Sequence, residues 1–211
     1  MTIFEEHPIV HQSFAVIDRM VGDHTLSADM YAVVRRVIHS TADFEFQSLL
    51  QCSATAIPAA LAALSQGCPI ITDVGMVAQG IHRVVNQTFQ NPVIVAVHQV
   101  SQAPPGETRT EAGLLQCCEA YPQGLFVIGN APTALLALCR QVQSGRVEPS
   151  LIVGAPVGFI NVIEAKQALA QLAVPQIRVD GRKGGSPVAA AIVNALLILA
   201  WERQSRPSSP A

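Results

Sequence analysis

The chain has 211 residues, with 13 Lys and Arg against 15 Asp and Glu and a formal net charge of −2. That length suits one sizeable domain rather than two, and the balance leaves no basic footprint for nucleic acid. Only 13% of residues are charged and 50% are hydrophobic, so part of the surface is expected to be covered in a homo-oligomer.

The first helix is expected from Ile9 to Met20, after Pro8. Gly22-Asp23 then turns the chain into a second helix over Ser27 to Ser40, where Met30, Val33, Val34, Val37 and Ile38 recur at helical spacing and form a buried face. Arg36 and His39 stand one turn apart on this helix, and Ser40-Thr41-Ala42-Asp43 ends it. A titratable imidazole and a fixed cation beside an exit loop suit acid/base work and anion binding. A surface Arg and a His capping the last carbonyls would give the same pattern. Glu45 to Leu50 leads to Cys52-Ser53, and a third helix is expected over Thr55 to Ser65, with Pro58 in its first turn and Gly67 past its end.

From Pro69 onward strand, loop and helix alternate. Short apolar strands are expected at 69–72, 92–97, 125–128, 151–153 and 176–179. Helices are expected between them at 74–85, 110–120, about 131–142 and 161–172. Asn161 and Glu164 have the spacing of a capping box. Ser186 and Pro187 suit the N-cap and first position of a last helix. Strands without alternation fit a sheet buried on both faces. The expectation is therefore a single α/β domain over 1–202, with a mainly parallel sheet flanked by helices and an N-terminal helical segment. The apolar run Val188 to Trp201, broken by Asn194, is shorter than a membrane span and reads as a buried helix. The polar, Pro/Ser-rich tail, 203–211, is expected to be disordered.

The five cysteines form no C-x-x-C pair and their count is odd, which does not suit a secreted disulfide framework. The opening MTIFEEHP is acidic where a signal peptide is basic. A cytoplasmic protein, without membrane or nucleic-acid partners, is the expectation.

Ligands of parallel sheets bind beyond the C-terminal ends of the strands. The loops there are TDVG, HQVSQAPPGETRT, GNAP, GAPVG and DGRKGG. The sharpest signal is Gly181 to Ser186: glycines such as Gly184 free backbone N–H groups at a helix N-terminus, and Arg182 and Lys183 add two cations. A phosphate or carboxylate would fit; so would a solvated turn with two surface cations. No G-x-x-x-x-G-K-[ST] or G-x-G-x-x-G occurs. Arg109 ends the longest loop and could reach a carboxylate bidentately. Asp73 is a possible site residue or a helix cap, and Asp43 and Glu45 read as solvated loop acids. The other histidines share no ligand spacing, so no metal site is expected.

These segments resemble a known family. Ser13-Phe14, RRVIHSTADFEF at 35–46, ITDVGMVAQGI at 71–81, VIGNAPTALL at 127–136, VGAPVGFINVIEAKQAL at 153–169 and GRKGGSPVAAAIVNAL at 181–196 are similar to the precorrin-8X methylmutases, including the cobalt-precorrin-8 enzymes. The likeness runs from about residue 9 to 200. It implies a homodimeric α/β isomerase of corrin-ring biosynthesis. The reaction implied is a 1,5-sigmatropic methyl shift from C-11 to C-12, giving hydrogenobyrinate or cobyrinate. No cofactor is implied, and any cobalt belongs to the corrinoid polycarboxylate substrate. The resemblance maps the catalytic histidine onto His39 and substrate contacts onto Ser13, Arg36 and Arg109. A non-catalytic corrinoid carrier would share the same pocket. A nucleotide-dependent enzyme using GRKGGS as a phosphate loop lacks the expected fingerprint.

Overall fold

The computed structural model describes Phe4 and residues 6–205. The N-terminal segment is helical: α1 (Pro8–Val21), α2 (Ala28–Thr41) and a single turn α3 (Phe46–Leu49), followed by β1 (Leu50–Cys52) and α4 (Ala56–Ser65). The alternating part comprises β2 (Ile70–Thr72), α5 (Gly75–Gln87), β3 (Val93–Val95), α6 (Arg109–Ala120), β4 (Leu125–Ile128), α7 (Pro132–Gln143), β5 (Leu151–Gly154), α8 (Val162–Ala170), β6 (Gln176–Val179) and α9 (Ser186–Ser205).

The strands form one sheet in the order β1-β6-β5-β4-β2-β3. All neighbours are parallel except β1, which pairs antiparallel with β6. Helices cover both faces, which is why the strands lack polar alternation. The pleat still sorts their residues. Ile70, Leu125, Val127, Leu151, Val153 and Ile177 join the core shared with α1, α2, α4, α5 and α9. Ile71, Phe126, Ile128 and Ile152 face the core shared with α6, α7 and α8. Register agrees: Ile71 pairs with Phe126, and Phe126 with Ile152.

The α/β architecture and its parallel sheet match the sequence reading. Several details depart from it. β1 and α3 were not expected. The strand over 92–97 stops at Val95, where the chain winds into a 3-10 turn over Ala96–His98. Asn161 does not cap α8 with its side chain: it is left-handed, with φ 57°, and makes no cap bond. Ser186 is the first residue of α9, and this helix runs on to Ser205, past the boundary expected at 202. Residues 206–211 of the expected tail lie outside the described residues.

Helix α9 is long and apolar enough to cross a membrane by length and composition, yet 67% of its apolar window is buried here. It packs against α2, α4 and α5. Its contact with α5 is close: a Cβ built on Gly80 would stand 2.7 Å from Ala190 Cβ, so only glycine fits at this crossing.

Candidate active site

A cleft of about 700 Å³ opens between α2, α5 and α9. Arg36 and His39 come from α2, Met76 and Gln79 from α5, and Ser186, Pro187 and Asn194 from α9. Since α5 follows β2 and α9 follows β6, their N-terminal ends stand at the C-terminal edge of the sheet, where such folds bind ligands. A larger hollow of about 820 Å³ lies beside Cys68, Tyr121 and Ser150, near the starts of β2, β4 and β5. Its lining has one carboxylate, Glu148, and no histidine, lysine or arginine. The smaller cleft, with its histidine and arginine, is the candidate active site.

His39 sits in the last turn of α2, held there because Ala42 takes a left-handed cap and its N–H donates to Ile38 O at 2.7 Å. The imidazole is exposed. Its Nδ1 lies 2.7 Å from Ser13 Oγ on α1, and its ring meets Phe14 edge-on at 5.4 Å. Nδ1 is thereby engaged, and Nε2 is the nitrogen left for a ligand.

Phe14 is a shared base plate. The Arg35 guanidinium lies 4.4 Å from its ring centre and that of Arg36 5.4 Å. Arg35 is held by Asp18 at 3.0 Å, and Asp18 also accepts from the Tyr31 hydroxyl at 2.6 Å. Burial, then that bond to Asp18, pushes the Tyr31 phenol up to about 12. Arg36 is paired with Glu6. The pair is half-buried and lies at the rim of the cleft.

The glycine-rich loop enters the cleft wall just ahead of Ser186. Lys183 Nζ is paired with Asp43 at 2.6 Å and Glu45 at 3.0 Å. That hydrogen bond from Lys183 holds the Asp43 carboxyl below its ordinary range, aided by the Glu45 backbone N–H. The two acids read as solvated are thus a clasp between the exit of α2 and this loop. Gly184, with φ 151°, passes so close to Ala155 that a Cβ would stand 2.4 Å from its carbonyl oxygen. Arg182 is exposed, and its carbonyl accepts from Gly158 N–H at 3.3 Å.

Of the residues singled out from sequence, the structure brings Ser13, Arg36 and His39 together. Arg182, Lys183 and Gly184 adjoin them through the start of α9. Arg109 stands apart from the cleft lining: it is the first residue of α6, and its guanidinium donates to Val97 O at 2.9 Å. Asp73 is fully buried and caps no helix at α5. Its Oδ1 accepts from Val74 and Gly129 N–H at 2.9 and 3.1 Å, and its Oδ2 from Asn130 and Ala131 N–H at 2.6 and 2.8 Å. It staples the GNAP loop to the end of β2. Burial pushes its carboxyl up, against the pull of those donors.

Sequence reasoning missed Glu6 and Asn194. For Asn194 a signal existed, since it interrupts the apolar run of α9. Its Nδ2 donates to Gly80 O at 3.0 Å, tying α9 to α5 in the cleft floor. Glu6 carries no such signal, because a carboxylate ahead of a helix pairs with many cations.

The family model for precorrin-8X methylmutase matches residues 8–199. A cobalt-precorrin-8 methylmutase of Synechocystis is 52% identical over 210 residues, covering 93% of this chain and 97% of its own. A precorrin-8X methylmutase of Pseudomonas aeruginosa is 38% identical, covering 89% and 93%. The crystal structure of a precorrin-8X methylmutase from Thermus thermophilus superposes with a TM-score of 0.84 at 38% identity, covering 93% and 99%.

Proposed function

Since this chain belongs to the precorrin-8X methylmutase family, an isomerase family of cobalamin biosynthesis, we propose that His39 is the group that assists the methyl shift from C-11 to C-12. The observation that carries this reading is the Ser13–His39 contact at the cleft. When Ser13 donates to Nδ1, the neutral ring keeps its proton on Nε2, facing the cleft. That N–H can hydrogen-bond to a nitrogen of the corrin ring as the methyl group moves; the imidazolium form, its Nδ1–H donating to Ser13 Oγ, can instead pass its Nε2 proton to that nitrogen and return to the neutral ring, and either draws electron density from the terminus the methyl leaves. Beyond this, a pericyclic shift needs a held conformation.

The substrate is a polycarboxylate, and the cations around the cleft suit it. Arg36 is the positioning cation, close to the imidazole. Arg182 and the amides of the 181–185 loop that are unpaired among the described residues form a second anion site, with Lys183 adding to the local field from its clasp. Arg109 is the outer contact. Relatives named for the cobalt-bearing and for the metal-free substrate both match; the 52% identical one carries the cobalt name, which favours cobalt-precorrin-8 as this chain's substrate. The protein works as a homodimer. Support comes from exposed apolar residues: Ile9, Val16 and Met20 form a stripe on α1, and Phe159 and Ile160 are 84% and 77% exposed. The five free thiols suit the reducing cytosol.

Incubating the protein with cobalt-precorrin-8 and with metal-free precorrin-8X, and following the change in the visible spectrum, tests the reading. Turnover of at least one, and faster turnover of the cobalt form, is expected. Tight binding of both without conversion would leave a corrinoid carrier instead.

A further inference from the structure

The VIEAKQAL segment belongs to α8, and the reaction described so far gives its lysine no part. Lys166 is 2% exposed. A buried ammonium is costly unless its donors are satisfied. Here the partners are carbonyls: Nζ donates to Gly181 O at 2.8 Å and to Lys183 O at 2.7 Å. An apolar residue would pack in its place without any desolvation cost. The lysine is explained by what it does to the loop.

A trans peptide unit points its C=O and the following N–H in opposite directions. Drawing the carbonyls of Gly181 and Lys183 inward to Nζ therefore turns the N–H groups of Arg182 and Gly184 away from Lys166. Among the described residues, neither of these two amides donates to any protein acceptor. The left-handed angles of Gly181 and Gly184, φ 74° and 151°, allow the loop to fold this way. The loop is pinned again by Gly185 N–H to Ala155 O at 2.8 Å and by Lys183 to Asp43. Two donors on alternate residues, beside the Arg182 guanidinium, are a fitting receptor for a carboxylate.

We infer that Lys166 is a positioning residue: by holding the carbonyls of Gly181 and Lys183 it presents the amides of Arg182 and Gly184 to a carboxylate of the substrate. This inference deepens the methylmutase reading and rests on it. It assigns the anion contact of this loop to its backbone and leaves Lys183 as the clasp to the α2 exit.

The test uses the full chain, the product hydrogenobyrinate as ligand, and Lys166→Met. In the wild type, adding product should shift the amide NMR signals of Arg182 and Gly184 and slow their exchange with solvent. In Lys166→Met those responses should be lost, and the amide of Gly158, which donates to Arg182 O, should exchange faster. Product Kd and KM should rise about tenfold or more while kcat changes less than about threefold, since the misplaced group binds the periphery of the substrate. A variant with unchanged KM overturns the inference, as does one in which KM holds and kcat alone falls. Should Lys166→Met fail to fold, the wild-type titration decides alone: product that binds without moving the Arg182 and Gly184 signals overturns it. Wild-type protein that binds neither hydrogenobyrinate nor cobyrinate would instead strike the methylmutase reading itself.

Discussion

Ser13 Oγ and His39 Nδ1 lie 2.7 Å apart, joining α1 to the last turn of α2. This contact engages Nδ1 and leaves Nε2 toward the cleft. His39→Ala should lose turnover by about 10²–10⁴-fold, the usual share of one general acid, while product binding changes little. Ser13→Ala should lose less, about tenfold, because the ring stays but its orientation is no longer held. Single-turnover rates with each variant check this. A well-folded His39→Ala protein with near-normal turnover removes the imidazole from the mechanism.

Arg36 and Glu6 are a pair at the rim of the cleft. Arg36→Lys should weaken product binding about tenfold, since an ammonium cannot reproduce the guanidinium fork. Glu6→Gln should preserve or tighten binding, because it frees the cation for the ligand. Titration with hydrogenobyrinate at two salt concentrations measures both, and the Arg36 effect should shrink at high salt. Equal affinities for all three proteins would make Arg36 structural.

Burial lowers the Lys166 ammonium from its ordinary 10.5 to about 8, against a smaller upward pull from Asp180. The sign of the linkage follows. The unfolded chain binds this proton more tightly than the folded one, so the lysine's contribution to stability is lowest below pH 8 and rises as pH increases toward 10.5. The difference in unfolding free energy, wild type minus Lys166→Met, should therefore grow between pH 7.5 and 10. Urea unfolding of both proteins across that range gives the curve; a flat difference would mean that the folded chain does not depress this group.

Asp73 accepts four backbone N–H groups with no exposure to solvent. Asp73→Asn replaces one acceptor oxygen with an NH₂ that faces donors. The cost should be about 2–4 kcal/mol, in the range of a broken buried polar network, which lowers Tm by roughly 5–15 °C in a domain of this size. Calorimetry checks it. A change under about 2 °C would show that the GNAP loop holds itself.

Much of this was legible in the chain, for a physical reason in each case. Helix α2 was read within one residue at each end, because Met30, Val33, Val34, Val37 and Ile38 carry its period and the exit residues break it. Strands β4 and β6 were read to the residue, β4 as a short apolar run and β6 as a short segment between Pro175 and the Asp180-Gly181 turn. Strand β1 was not, because Leu50–Cys52 is three residues long and owes its state to pairing with β6 rather than to any pattern of its own. Asn161 and Glu164 have capping-box spacing, but the backbone of Asn161 turns left-handed and carries its side chain away. In the site, His39 and Arg36 were visible as types on one helix face, whereas Ser13 came from resemblance alone. Lys166 stayed hidden because a lysine on an amphipathic helix ordinarily reads as solvated, and only the carbonyls of a distant loop make it otherwise.

Helix α9 gives the domain an order of assembly. It is synthesised after every other described element, yet it forms one wall of the cleft and covers the inner faces of α2, α4 and α5. A nascent chain that has reached Val179 already holds every strand and the imidazole, but it has no pocket and bares a broad greasy surface. Ligand can contribute nothing to folding until the ribosome has delivered the final helix. A fragment ending before Ser186 should be a ward of chaperones rather than a weakened enzyme.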